Sequence, residues 1–173
     1  MRLRVWTLPA LACLAFTSAP ADQRPGGPSL VGRMAPDFTL PDLSGRRVSL
    51  ADLRGKQVVQ IVGWTSWCAG CRQEIPRLKD AYEKFHAEGF EILALTGPLG
   101  QNLQDVRSFV RGMALPYPVL FDEDKRVLDQ YQIYFVPYTC LLDRRGQVVY
   151  EGSHLPNDYE KRIEKLLAAG QDI

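Results

Sequence analysis

Histidine is nearly missing from this chain, with two in 173 residues, and cysteine is sparse at four. Beyond the close pair Cys68 and Cys71, the remaining residues of these types (Cys13, Cys140, His86 and His154) are each isolated. A tetrahedral zinc site calls for a second close-spaced pair, so the pair lacks the other half of a metal centre. Excess charge is missing too. The net charge is +1 with both signs scattered, which excludes a nucleic-acid stripe and a polybasic membrane patch. No apolar run reaches the roughly 20 residues that cross a bilayer; the run from Val5 to Thr17 falls short. Repeats and low-complexity core segments are absent as well. One domain with a single core is what remains.

The first 21 residues carry an export pattern. Met1-Arg2-Leu3-Arg4 is basic, an apolar stretch follows, and Ser18-Ala19-Pro20-Ala21 supplies the small residues that export peptidases cut. Residues 1–21 are therefore expected to be a signal peptide cleaved near Ala21. A lipid-modified Cys13 fits less well, because Ala10 stands where such sites carry leucine. Arg24-Pro25-Gly26-Gly27-Pro28 makes residues 22–34 a flexible leader, and the domain is expected over 35–173. Export to the periplasm or beyond means a compartment where disulfides persist, so the cysteine pair can be oxidised or reduced there.

The informative stretch is Trp67-Cys68-Ala69-Gly70-Cys71. Val58-Val59-Gln60-Ile61-Val62 before it reads as a buried strand, and Ile75, Leu78, Tyr82 and Phe85 after it recur at helical spacing. Two cysteines thus open a helix that follows a strand. The helix dipole and its free N–H groups favour an anion there, so the first sulfur ionises more readily than an ordinary thiol. Only a thiolate attacks a disulfide, and the second cysteine, one turn on, can then close onto the first. Cys68 is the expected nucleophile and Cys71 the resolving thiol, exchanging two electrons with cysteines of other proteins.

Further apolar strands are expected at Glu91 to Leu95, Pro118 to Phe121, Tyr138 to Leu142 and Gln147 to Tyr150. Helices are expected over 69–88, 102–112, 122–131 and 158–168, and a small hairpin over 38–50. The alternation makes an α/β layered sheet. Trp64 reads as core and Trp67 as the rim of the site. Cys140 reads as a buried, inert thiol, with a third redox partner as the alternative. His86 and His154 read as surface residues. Val136-Pro137 precedes a strand, and spacing alone favours an ordinary trans bond. Gln60 is out of place in an apolar strand.

Trp67-Cys-x-x-Cys71, Pro76 and Val136-Pro137-Tyr138-Thr139 together resemble the thioredoxin fold. Ala35-Pro36-Asp37-Phe38-Thr39-Leu40, Leu50 to Lys56, Cys71-Arg72-Gln73-Glu74-Ile75-Pro76 and Asp143 to Val149 resemble the TlpA/ResA-like (AhpC/TSA-related) exported thiol–disulfide oxidoreductases. The likeness runs from about Ala35 to Leu167. It implies a thioredoxin-like fold, with a mixed central sheet, helices on both faces and an N-terminal β-hairpin extension. It also implies a cis bond before Pro137, with Trp67, Val136 and Pro137 shaping a substrate-docking surface, and Glu74 as a catalytic acid near the cysteines. A monomeric reductase without cofactor is implied, serving exported proteins in cytochrome c maturation or copper-site assembly and fed by a membrane-bound electron donor. Two positions depart from relatives: Val62 stands where thioredoxins bury an aspartate, and Gly70 replaces a common proline.

Two rival readings stay open at this point. A copper-binding assembly module would use Cys68, Cys71 and His154. A peroxiredoxin-type thiol peroxidase would use Thr65-Ser66-Trp67-Cys68, although Ile61 stands where that motif needs proline.

Overall fold

The computed structural model describes residues 28–169. The expected signal peptide, and the leader up to residue 27, lie outside the described residues. A two-stranded antiparallel sheet comes first, β1 (Thr39–Pro41) against β2 (Arg47–Ser49). The central sheet holds β3 (Val58–Gly63), β4 (Phe90–Thr96), β5 (Val119–Phe121), β6 (Tyr138–Leu142) and β7 (Val148–Gly152), in the order β5-β4-β3-β6-β7. β3 and β4 run parallel, as do β4 and β5; β6 is antiparallel to both β3 and β7. The sheet is mixed, as expected.

β3 shows no polar alternation because it lies at the centre with both faces covered, and all six of its residues are buried. Gln60 is accommodated by its own chemistry: its amide nitrogen donates to the Thr139 hydroxyl (2.7 Å) and to the carbonyl of Ile61 (2.8 Å). Packed on one face are α1 (Ala69–Phe85), α2 (Leu103–Met113) and α4 (Tyr159–Ala168), through Leu78, Phe85, Val106, Tyr159 and Ile163. The other face carries α3 (Arg126–Gln130) and the N-terminal hairpin, through Val127, Leu128, Phe38 and Leu40.

Helix ends follow local chemistry. Asn102 caps α2 in a reciprocal box with Asp105, each side chain accepting the other's backbone N–H. α1 ends at Phe85, a 3-10 turn (His86–Glu88) follows, and Gly89 at φ 97° stops it. α3 starts four residues later than expected. Asp122 is not its first residue; its carboxylate reaches forward to accept the N–H groups of Val127 and Leu128, both at 2.8 Å. The leader also differs from expectation from Ser29 onward. Leu30 is buried, its N–H and the Ser29 hydroxyl both donate to the Glu151 carboxylate, and Gly32 and Arg33 hydrogen-bond Val148 of β7. Residues 29–34 are part of the domain.

Candidate active site

β3 delivers the chain to the end of the sheet, and Trp64 to Trp67 turn it into α1. Cys68 is the N-cap of α1, in extended backbone geometry (φ −74°, ψ 109°), and its sulfur accepts the Cys71 N–H at 3.1 Å. Cys68 and Cys71 are joined as a disulfide across a Cα–Cα distance of 5.3 Å. The first turn of α1 holds no acidic residue, so nothing there opposes negative charge on the Cys68 sulfur. The pair is less exposed than a surface site would be: each cysteine is about 5–6% accessible. A partner must bring its sulfur into contact with a covered cystine.

Two segments flank the pair. Trp67 is 58% exposed yet fixed, because its indole N–H donates to the Leu99 carbonyl (2.8 Å) and its ring lies against Gly100. Trp64, in contrast, is buried and packs on Phe109 at 5.1 Å, so the wall and rim roles fall as expected. On the other side the Val136–Pro137 bond is cis, in agreement with the family likeness. Pro137 sits over Gly70 so closely that a Cβ there would meet its ring at 3.2 Å. Glycine before the second cysteine thus has a packing reason. Tyr134 and Phe135, just before this segment, are both exposed.

Glu74 lies one turn beyond Cys71. One of its carboxylate oxygens accepts the Leu155 N–H (2.9 Å), and Nδ1 of His154 lies 3.4 Å from the same oxygen. Glu74 and Cys71 line one small cavity of about 20 Å³, with Val62, Tyr117 and Pro137. That volume has room for a single water molecule. Burial pushes the Tyr117 hydroxyl well above its ordinary range, so it stays neutral near neutral pH. With Val62 apolar, Glu74 is the carboxylate lining this cavity.

Other expectations meet the structure as follows. His154 pairs with Glu74, and among the described residues no three His, Cys, Asp or Glu side chains gather as metal ligands, so the copper reading finds no ligand set. Ile61 lies inside β3 between Leu93 and Cys140, in a ladder on both sides where proline would remove a hydrogen bond. Cys140 is fully buried in the core on the α3 face, whereas Cys68 and Cys71 belong to the cluster on the α1 face. Gln101 did not stand out in the sequence: its side-chain oxygen accepts the Ser66 N–H at 2.7 Å, two residues before the nucleophile position. The adjoining Gly97-Pro98-Leu99-Gly100 turn marks a loop but not that contact.

A parallel strand–helix start carrying a closed Cys-x-x-Cys, faced by a cis-proline loop, defines a thioredoxin-fold thiol–disulfide oxidoreductase. The comparisons agree. The chain belongs to the AhpC/TSA family, whose pattern matches residues 31–151. It is similar to the thiol–disulfide oxidoreductase ResA of Bacillus subtilis, 36% identical over 118 residues, which are 68% of this chain and 64% of that protein. ResA of Geobacillus kaustophilus is 34% identical over 138 residues, covering 79% of this chain and 78% of the relative. Among solved structures, the thioredoxin domain of a thiol–disulfide oxidoreductase from Bacteroides vulgatus superposes with a TM-score of 0.70 at 28% identity, covering 79% of this chain and 97% of that domain.

Proposed function

We propose that this protein works after export, in the periplasm or its equivalent, as a reductant of disulfides in other exported proteins. The Cys68 thiolate attacks one sulfur of the substrate disulfide, forming a mixed disulfide and releasing the other substrate sulfur as a thiolate. Cys71, having lost its proton, then attacks the Cys68 sulfur. The Cys68–Cys71 disulfide forms, the second substrate thiolate leaves, and two electrons have passed to the substrate. Glu74 accepts the Cys71 proton, directly or through a water in the shared cavity. Trp67, Val136 and Pro137 receive the substrate chain in extended form, the backbone beside Pro137 offering strand-like pairing. A membrane-bound donor returns the pair to its reduced state. Cytochrome c maturation or copper-site assembly is the setting that the family likeness supports for this reading, in which the protein acts as a monomer.

The observation that supports this most is the Cys68 sulfur at the α1 N-cap, accepting the Cys71 N–H while bonded to Cys71. The test is a trap. Reduced Cys71→Ser protein, mixed with a disulfide-bearing peptide, should accumulate a mixed disulfide through Cys68 that mass spectrometry identifies. No adduct, or none at Cys68, ends the proposal. Direction follows from the potential of the wild-type pair: a value near about −270 mV makes it a reductant, and one near about −120 mV an oxidant.

A further inference from the structure

We infer that Gln101 is a positioning residue for the Cys68 nucleophile, acting through the Trp64–Cys68 loop and needed most when the cysteines are reduced. The inference rests on the exchange reaction proposed above. The Gln101 amide uses both ends. Its oxygen accepts the Ser66 N–H (2.7 Å), while its nitrogen donates to the Thr96 hydroxyl (2.6 Å) and the Gly97 carbonyl (3.2 Å). The Thr96 hydroxyl in turn donates to the Trp64 carbonyl at 2.7 Å, so it can only accept from Gln101, which fixes which way the amide points. From the opposite side, Arg72 donates to the Ser66 carbonyl at 2.6 Å. The Ser66 residue is thus gripped at N–H and C=O, and the loop feeding Cys68 is tied to β4 and to α1.

In the oxidised protein this grip is redundant, because the disulfide itself fastens Cys68 to α1. Reduction removes that tie. What then keeps the Cys68 sulfur over the helix N-terminus, facing the Cys71 N–H, is the loop and its hydrogen bonds. A thiolate that drifts from this place loses the stabilisation of the helix end, and its pKa rises. Loss of Gln101 therefore weakens the reduced form more than the oxidised one. The pair becomes easier to oxidise and its nucleophile less ionised. One ordinary hydrogen bond corresponds to a shift of about fivefold in the equilibrium.

Gln101→Met keeps the length of the side chain and removes its donor and acceptor; Thr96→Val breaks the same chain at its next link. In otherwise unchanged protein, the readouts are the pH dependence of Cys68 alkylation by iodoacetamide and the thiol–disulfide equilibrium with glutathione. Both variants should move the alkylation midpoint to higher pH and shift the equilibrium about fivefold toward the Cys68–Cys71 disulfide. The double variant should do little more than the larger single one, since both act through one chain of bonds. An unchanged midpoint and equilibrium, or equal loss of stability in the oxidised and reduced forms, overturns the inference. If Gln101→Met does not fold, Thr96→Val alone decides. Failure of the Cys71→Ser trap in an otherwise wild-type background is a separate outcome, and it removes the exchange reaction rather than the role of Gln101 in holding the loop.

Discussion

Substitutions at Glu74 separate a proton acceptor from a structural brace. The carboxylate accepts the N–H of Leu155, a residue only 8% exposed, so Glu74→Ala leaves a nearly buried donor unpaired. Hydrogen bonds to charged groups contribute roughly 1.5–3 kcal/mol, and the partial access of water to Glu74 lowers this, so the expected loss is about 1–2 kcal/mol. Glu74→Gln keeps an oxygen at the same place and should cost less than about 0.5 kcal/mol. Chemistry ranks the two differently. Glutamine cannot take the Cys71 proton, so closure of the mixed disulfide near neutral pH should slow by about a hundredfold, the low end of general acid–base contributions. Above the ordinary thiol pKa of about 8.5, Cys71 ionises unaided and the two rates should converge. Denaturant unfolding of the oxidised protein gives the first quantity. Stopped-flow tryptophan fluorescence of mixed-disulfide closure, run across pH, gives the second. A Glu74→Gln protein with wild-type stability and wild-type closure rates at every pH refutes the proton role and leaves only the brace.

Two further perturbations test the body of the domain away from the site. Burial raises the Glu91 carboxyl above its ordinary range, against the lowering effect of the Ile92 N–H bond. The folded protein then holds this proton more tightly than the unfolded chain. Its contribution is fully present below the ordinary carboxylate pKa of about 4.3 and is lost as pH rises through the raised value. Glu91→Gln should accordingly be more stable than wild type at pH 7 and no different at pH 4, by urea unfolding at both. Cys140→Ala, in the core of the α3 face, should reduce stability by about 1 kcal/mol and leave the Cys68–Cys71 potential unchanged. A shifted potential on redox titration would make Cys140 a participant in the exchange.

What the sequence reveals of this site is its local part. Cys68 and Cys71 sit between an apolar strand and a periodic helix, and those patterns place them at a helix start without any distant contact. Glu74 follows at one turn's spacing on the same helix. Pro137 needed the family likeness, because strand-edge and cis prolines look alike in a single sequence. Contacts between distant segments were illegible. Gln101 lies 35 residues from Ser66, and Glu74 lies 81 from Leu155, so neither pairing leaves a periodic or compositional trace. The end of the leader is illegible in the sequence for the same reason. Its Pro-Gly-Gly-Pro composition is loop-like, whereas the anchor for Leu30 is Glu151, 121 residues away. The late start of α3 has a different origin: Asp122 suits a helix start, but it caps from several residues upstream, across an intervening turn.

The course of residues 29–34 along β7 has a consequence beyond the domain boundary. An unpaired outer strand is a template for another chain, and proteins that leave one bare risk joining edge to edge. Here Gly32, Arg33 and Met34 engage the β7 margin, while Asp42 and Leu43 engage β5 on the far side. The start of β7 and the middle of β5 are thus paired with the protein's own backbone. If substrate chains pair strand-like with this protein, as proposed above, the segment beside Pro137 rather than these paired stretches of edge is where they would do so.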